Sequence, residues 1–290
     1  MTYNVEMYKS DEGGWGGRTL SETIGTIIDA SPDVVGLQED TSDWRSSGEY
    51  TALTSGGYTQ VKFDGNGSEY LDIFYKSENF NFVASGQKFF KKLADGDYSD
   101  VDPKGANLSI DTSGDTEYGY PYIKRDKGRM FSYVVLEDKA TGAIVLVVNT
   151  HLHYGKGTDS EYVDDHLVRD YQARILRAWL DDMKELYPNQ IVMGDMNATP
   201  TTTTISEFRG NNGFEFAKDT ALVKGDVGGT LCSTTDYVTR AKYVFDHIAY
   251  RNVLAVEYTV INNKVDEVNG EMRYPSDHLP VMAKFVCTAG

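Results

Sequence analysis

Five times along this chain, an apolar run too short for anything but a buried strand stops abruptly at residues that bind metal ions or phosphate. Val34, Val35 and Leu37 lead to Gln38-Glu39, Ile144 to Val148 lead to Asn149-Thr150-His151, and Ile191 to Met193 lead to Gly194-Asp195-Met196-Asn197. Tyr243 to Phe245 lead to Asp246-His247, and Tyr274-Pro275-Ser276-Asp277-His278 stands just before the closing strand. A carboxylate, amide or imidazole buried singly at a strand end loses its water and needs a partner. Gathered at one edge of a sheet, such groups satisfy each other and a ligand. The pattern predicts a β-rich fold with its chemistry at the strand ends.

The remaining periodicities supply the covering layers. Leu20, Ile24, Ile27 and Ile28 recur at helical spacing, and Leu167, Tyr171, Ile175, Leu176, Trp179, Leu180, Met183 and Leu186 mark one face of a longer helix. Strands are expected at Asp33–Leu37, Tyr70–Tyr75, Met130–Leu136, Ile144–Val148, Ile191–Met193, Tyr243–Tyr250, Val253–Val260 and Val281–Val286. No repeat or flexible linker interrupts them, so residues 1–290 read as one domain, and 40 % hydrophobic residues suffice for a full core. Asp95–Tyr122, rich in Asp, Gly and Tyr, reads as a long surface loop. Asp95, Asp97 and Ser99 faintly resemble a calcium loop, but Asp100 and Ala106 stand where that loop wants Gly and Glu, so a solvated acidic loop is expected.

The formal net charge of −16 argues against a protein whose main task is coating nucleic acid, because phosphate polyanions are held by Lys and Arg. A nuclease with a local cationic site survives this test. Cys232 and Cys287 are too few and too far apart for a disulfide scaffold or a CxxC zinc site, and can pair or stay apart. No apolar run approaches the roughly 18 residues of a spanning helix, and the first residues do not resemble a signal peptide. A chain trimmed of its leader would look the same, and the Tyr-, Gly-, Thr- and Asp-rich, Lys-poor composition leans toward export to the medium or cell surface. A monomer is expected.

The residue types at the strand ends also select a chemistry. Carboxylates and amides without thiolates suit a hard cation such as Mg2+ or Mn2+, and the lack of an HExxH helix speaks against zinc. Three of the five histidines, His151, His247 and His278, lie at these ends. Phosphate ester hydrolysis uses such a set, since its transition state needs spread negative charge neutralised and an attacking water aligned.

Thr2-Tyr3-Asn4-Val5, Val35-Gly36-Leu37-Gln38-Glu39, Asn149-Thr150-His151-Leu152, Gly194-Asp195-Met196-Asn197 and Ser276-Asp277-His278 together resemble, in order and over nearly the whole chain, the endonuclease/exonuclease/phosphatase superfamily of deoxyribonuclease I-like proteins. The resemblance implies an α/β four-layer sandwich, two packed β-sheets flanked by helices, with the site at one end. It makes Glu39 the main Mg2+ ligand, assisted by Asn4 and by Asp277 or its neighbours. Asp195 would align or deprotonate the attacking water, with Asn197 beside it holding a phosphate oxygen or the nucleophile. His151 and His278 would contact the scissile phosphate, each backed by a carboxylate: Asp246 for His278 and Glu69 for His151. Arg129 resembles a phosphate-contacting Arg of the deoxyribonuclease branch. His153 and His247 are expected to be structural, with the His247 side chain on the opposite face of its strand from Asp246.

The expectation is therefore a metal-dependent phosphoesterase acting on a small or lipid-borne phosphate ester. The alternative is a nuclease of the same superfamily, which the cationic segment Lys124, Arg125, Lys127 and Arg129 keeps open. A catalytically inactive binding module on the same fold would lack Glu39, Asp195 or His278, and all three are present. Inositol polyphosphate 5-phosphatases carry Trp-Cys-Asp-Arg where this chain has Val244-Phe245-Asp246-His247, which disfavours that branch. Sphingomyelinases and deadenylases stay open.

Overall fold

The apolar runs are continuous rather than alternating because successive residues feed two different cores. In the strand Ile144–His151, Val145 and Val147 pack with Ile73, Val134, Leu136 and Ile248. Their neighbours Leu146 and Val148 pack with Phe131, Tyr133, Val135 and Trp179 instead. A strand covered on both faces needs apolar side chains in both parities. The computed structural model describes residues 1–6, 19–66, 69–90, 128–155, 165–210, 213–232, 243–268 and 271–288. The Asp95–Tyr122 loop, with its calcium expectation, and Lys124, Arg125 and Lys127 lie outside the described residues.

The strands are, in chain order, β1 (Thr2–Asn4), β2 (Val34–Gln38), β3 (Tyr58–Val61), β4 (Ile73–Lys76), β5 (Phe80–Phe89), β6 (Met130–Asp138), β7 (Ile144–His151), β8 (Asn189–Asp195), β9 (Glu215–Phe216), β10 (Val223–Lys224), β11 (Asp246–Arg251), β12 (Leu254–Val260), β13 (Asp266–Val268), β14 (Glu271–Arg273) and β15 (Val281–Val286). One sheet runs β10-β12-β15-β1-β2-β4-β3 and the other β5-β6-β7-β8-β11-β9, while β13 and β14 pair apart from both. Both large sheets are mixed, with β1 parallel to β2 and β7 parallel to β8.

Helix α1 (Leu20–Ala30) covers the first sheet and starts at a capping box in which Thr19 and Glu22 exchange hydrogen bonds. Its buried stripe is Leu20, Thr23, Ile24 and Ile27. Ile28 is 43 % exposed, contrary to the helical reading, because it lies about 80° round the helix from Leu20, beyond the edge of that stripe. The short helices α2 (Ser42–Ser46) and α3 (Gly48–Ser55) follow on the same side, bringing Trp44, Tyr50 and Leu53 into the same core. The longer helix α4 (Asp165–Met183) covers the second sheet, its Trp179 ring lying 4.9 Å from Phe131 and 5.0 Å from Tyr133. Leu186, expected on its apolar face, lies past the helix end and is 40 % exposed. The four layers are thus helix, sheet, sheet and helix. Among the described residues no helix is long and apolar enough to cross a membrane, and no disulfide joins Cys232 to Cys287.

Several strand boundaries differ from the sequence reading in ways that matter to the site. β7 and β8 run on through His151 and Asp195, so these residues occupy the last rungs of the ladder instead of the loops beyond it. Tyr243 to Phe245 are not part of β11; Tyr243 is 54 % exposed and joins Leu231 in a single bridge. β4 starts only at Ile73 because Leu71 has φ +55°, which no strand accommodates.

Candidate active site

Register alone lines up three of the expected residues. In the second sheet His151 is paired with Asp195 across β7 and β8, and Asp195 with Asp246 across β8 and β11. The three side chains therefore emerge side by side at one edge. In the first sheet Asn4 is paired with Gln38, so that Glu39 follows one residue later at the same end. Glycine permits the close packing beneath them: a Cβ on Gly194 would lie 1.9 Å from the Thr150 carbonyl oxygen, and one on Gly36 would lie 2.7 Å from Cγ of Asn149. Gln38 Nε2 donates to Asn149 Oδ1 (2.6 Å), and Asn149 Nδ2 donates to the Leu37 carbonyl (2.8 Å), which clamps the two sheets together at this end.

Asp195 Oδ2 stands between two imidazoles, with Nε2 of His151 and Nε2 of His278 each 3.6 Å away. Behind each ring lies another carboxylate. Glu69 Oε2 is 2.7 Å from Nδ1 of His151, and Asp246 Oδ2 is 2.7 Å from Nδ1 of His278. Each carboxylate claims an Nδ1–H and so turns Nε2 toward the centre. Burial pushes the His278 pKa down, but Asp246, Asp195 and Asp277 outweigh it and raise it well above the ordinary value, which favours the cationic ring. Burial likewise opposes ionisation of Glu69, yet the charges of His151 and Arg129 hold its carboxyl down at about 2.

Arg129 lies on the Nδ1 side of His151. Its Nη1 donates to Glu69 Oε1 over 2.5 Å and lies 2.5 Å from Nδ1 of the histidine. A single Nδ1 cannot both donate to Glu69 and accept from Arg129, so with the carboxylate in reach the proton belongs between His151 and Glu69. Arg129 Nη1 is therefore engaged with Glu69, behind the ring.

Asn4 Nδ2 donates to Glu39 Oε1 and to Asp195 Oδ2, both at 3.1 Å, and its Oδ1 accepts the Glu6 N–H at 3.0 Å. The amide NH2 thus stands between two carboxylates, where positive charge is wanted. Burial, with Asp277 and Glu69 nearby, raises the Glu39 pKa against the opposing pull of His151. Asp277 places Oδ1 4.0 Å from His278 Nε2 and donates its backbone N–H to Glu6. Asn197, at φ +48°, donates its backbone N–H to Asp195 Oδ1 (2.8 Å) and its side-chain N–H to the Leu152 carbonyl (3.1 Å). It closes an Asx turn that fixes the Asp195 carboxylate. His247 points away from this centre, with Nε2 2.8 Å from the Ala198 carbonyl and its ring against Phe216; burial lowers its pKa.

The donor set fits a hard divalent cation. Glu39 Oε1 and Asp195 Oδ2 meet at the Asn4 amide nitrogen, with Asp277 near enough to raise the Glu39 pKa, and presenting Asn4 Oδ1 to a cation would mean turning that amide and giving up its bonds to Glu39, Asp195 and Glu6. Ligand atoms of Asp195, Asp246 and His278 also lie within 4.8 Å of one another, and Asp246 Oδ1 is buried without a hydrogen-bond partner among the described residues. Since Asp246 Oδ2 is held by His278, that second group serves the imidazole first.

The sequence assigned no part to several buried groups that position these residues. Thr230 Oγ1 accepts the Phe245 and Asp246 N–H groups (3.0 and 3.2 Å), and its carbonyl accepts from Leu279. Asp40 and Asp72, both fully buried, hold the backbone around Glu39 and Glu69. Nothing in local periodicity singles out such residues, because each acts on a segment distant in the chain.

Residues 1–278 match the family described as Endonuclease/Exonuclease/phosphatase family. No curated protein matches the chain. Among solved structures, a mannosyl-6-phosphatase of Bacteroides thetaiotaomicron is 20 % identical with a TM-score of 0.69, covering 98 % of each chain. The human Nocturnin catalytic domain is 17 % identical with a TM-score of 0.61, covering 99 % of this chain and 93 % of its own. TDP2 of D. rerio, complexed with single-strand DNA product, is 17 % identical with a TM-score of 0.62, covering 98 % and 97 %. At these identities the likeness is one of fold.

Proposed function

The chain belongs to the endonuclease/exonuclease/phosphatase family, and from that premise we propose that it is a divalent-metal-dependent phosphoesterase hydrolysing a small or lipid-borne phosphate ester by in-line attack of water. The observation that carries this reading is Asp195 Oδ2 flanked at 3.6 Å by two carboxylate-backed imidazoles. Asp195 orients the water and accepts its proton, being held by the Asn197 N–H. His278, kept cationic, donates Nε2–H to a phosphate oxygen and stabilises charge that grows in the transition state. His151 binds a second oxygen from the other side, with Glu69 fixing its tautomer and Arg129 holding Glu69.

Glu39, with Asn4 Oδ1 and Asp277, would hold Mg2+ or Mn2+. Such an ion supplies positive charge against the phosphate and the leaving oxygen. The net charge of −16 supports a small or lipid-borne ester over a nucleic acid. Nuclease action is the second reading, favoured by Lys124, Arg125 and Lys127 close to Arg129 in sequence. A panel of phosphomonoesters, phosphodiesters, sphingomyelin and nucleic acids, assayed with Mg2+ and with EDTA, tests both. Turnover of none of them with Mg2+ and Mn2+ would overturn the assignment.

A further inference from the structure

We propose that Asp40 is a positioning residue that sets the distance between Glu39 and the Glu69–His151 pair, and through it the affinity for the divalent cation. This rests on the reading of Glu39 as a cation ligand. Asp40 is fully buried and reaches neither imidazole; it acts on the backbone. Its Oδ1 accepts the Leu71 N–H (2.8 Å), its Oδ2 accepts the Asp72 N–H (3.3 Å) and its carbonyl accepts the Tyr70 N–H (3.1 Å). One residue thereby binds three successive backbone N–H groups of the segment that follows Glu69.

A left-handed non-glycine residue stands at each end of this clamp. Glu39, immediately before Asp40, has φ +60°, and Leu71, which receives the clamp, has φ +55°. Non-glycine residues take such values only where their surroundings over-determine them. The Leu71 carbonyl is held from the other side by Ser132 Oγ (2.6 Å) and Asn149 Nδ2 (3.3 Å). With both segments fixed, the Glu39 N–H donates to Glu69 Oε2 (3.2 Å), the same oxygen that lies 2.7 Å from His151 Nδ1. The direction in which the Glu39 carboxylate leaves the backbone is therefore dictated by Asp40. Asp72, next to the clamp, is separately satisfied by Arg45, Tyr50 Oη (2.7 Å), Gln60 Nε2 (2.7 Å) and the Phe63 N–H (3.2 Å).

The test measures binding directly. Asp40→Asn keeps the shape but offers one oxygen, so one of the two N–H groups faces an NH2. Free Mn2+ is titrated by electron paramagnetic resonance into wild type, Asp40→Asn, Glu39→Gln and Tyr50→Phe, with thermal unfolding and kcat and KM measured alongside. Tyr50→Phe removes one hydrogen bond from Asp72 and leaves those of Asp40 in place. The expected result is a Kd for Mn2+ raised about tenfold or more in Asp40→Asn, the scale for partners that orient a metal ligand, with kcat lowered more than KM is raised. Tyr50→Phe should lose thermal stability but keep its Kd within about twofold. Should Asp40→Asn not fold, Asp40→Ser, smaller and able to accept one of the bonds, replaces it. Unchanged Mn2+ affinity in a folded Asp40 variant, while Glu39→Gln weakens it, overturns the clamp alone; so does an equal loss in Tyr50→Phe. Wild-type affinity in Glu39→Gln overturns the ligand assignment itself, and the clamp with it.

Discussion

Glu69 and His151, 82 residues apart in sequence, meet with Oε2 2.7 Å from Nδ1, and both are almost fully buried. The carboxyl is held at about 2 in the fold against an ordinary value of 4.5, so it stabilises the folded state above pH 4.5 and loses that contribution as the pH falls toward 2. The contribution at neutral pH is on the order of 3 kcal/mol. In urea titrations Glu69→Gln should be less stable than wild type at pH 7 by at least this order, with the gap narrowing between pH 4.5 and 2. A gap that stays constant over that window would contradict the assignment.

His278 and Asp246 are expected to act as one unit. His278→Ala should lower kcat by a few orders of magnitude with the fold intact, and Asp246→Asn by less. The double variant should be little worse than His278→Ala, since a carboxylate that orients an absent ring has no further task. Additive losses among folded variants would show that the two work independently.

Thorough chelation should abolish hydrolysis, and Mg2+ or Mn2+ should restore it. Glu39→Gln should need a higher metal concentration for half-maximal activity while unfolding within about 1 kcal/mol of wild type, because its carboxylate is 25 % exposed and makes few contacts. Hydrolysis that survives chelation would rule out the metal requirement.

Gly194→Ala should fail structurally before it fails chemically. The added carbon would stand 1.9 Å from the Thr150 carbonyl oxygen, on the ladder that aligns His151 with Asp195. Destabilisation by more than about 3 kcal/mol, or loss of soluble protein, is expected. A variant with wild-type melting temperature would show that β7 and β8 yield there at little cost.

How far the sequence was legible follows from the range of the interactions. Apolar runs ending in Glu39, His151 and Asp195 are local, and they marked both the strands and the chemistry at their ends. The ion pair of Arg129 with Glu69, 60 residues away, could not be read from the local sequence. Strand β5 went unread because it lies at a sheet edge with Phe82 and Val83 about half exposed, so neither an alternating nor a continuous apolar run marks it. No local signal marks Asp40 and Asp72 as buried acids, and only the fold shows it.

The Asn4 side-chain amide joins Glu39 of one sheet to Asp195 of the other across 191 residues of sequence, and the Asn4 backbone carbonyl accepts from Ser276 Oγ, 272 residues away. The reactive pole is therefore assembled from the earliest and the latest strands at once. The second sheet aligns His151, Asp195 and Asp246 by itself, but Asn4, Glu39 and His278 join them only when the two sheets and the segment around Ser276 come together. Any product truncated before Ser276 lacks both His278 and the hydroxyl that holds Asn4. The complete set of site groups therefore exists only in the finished fold.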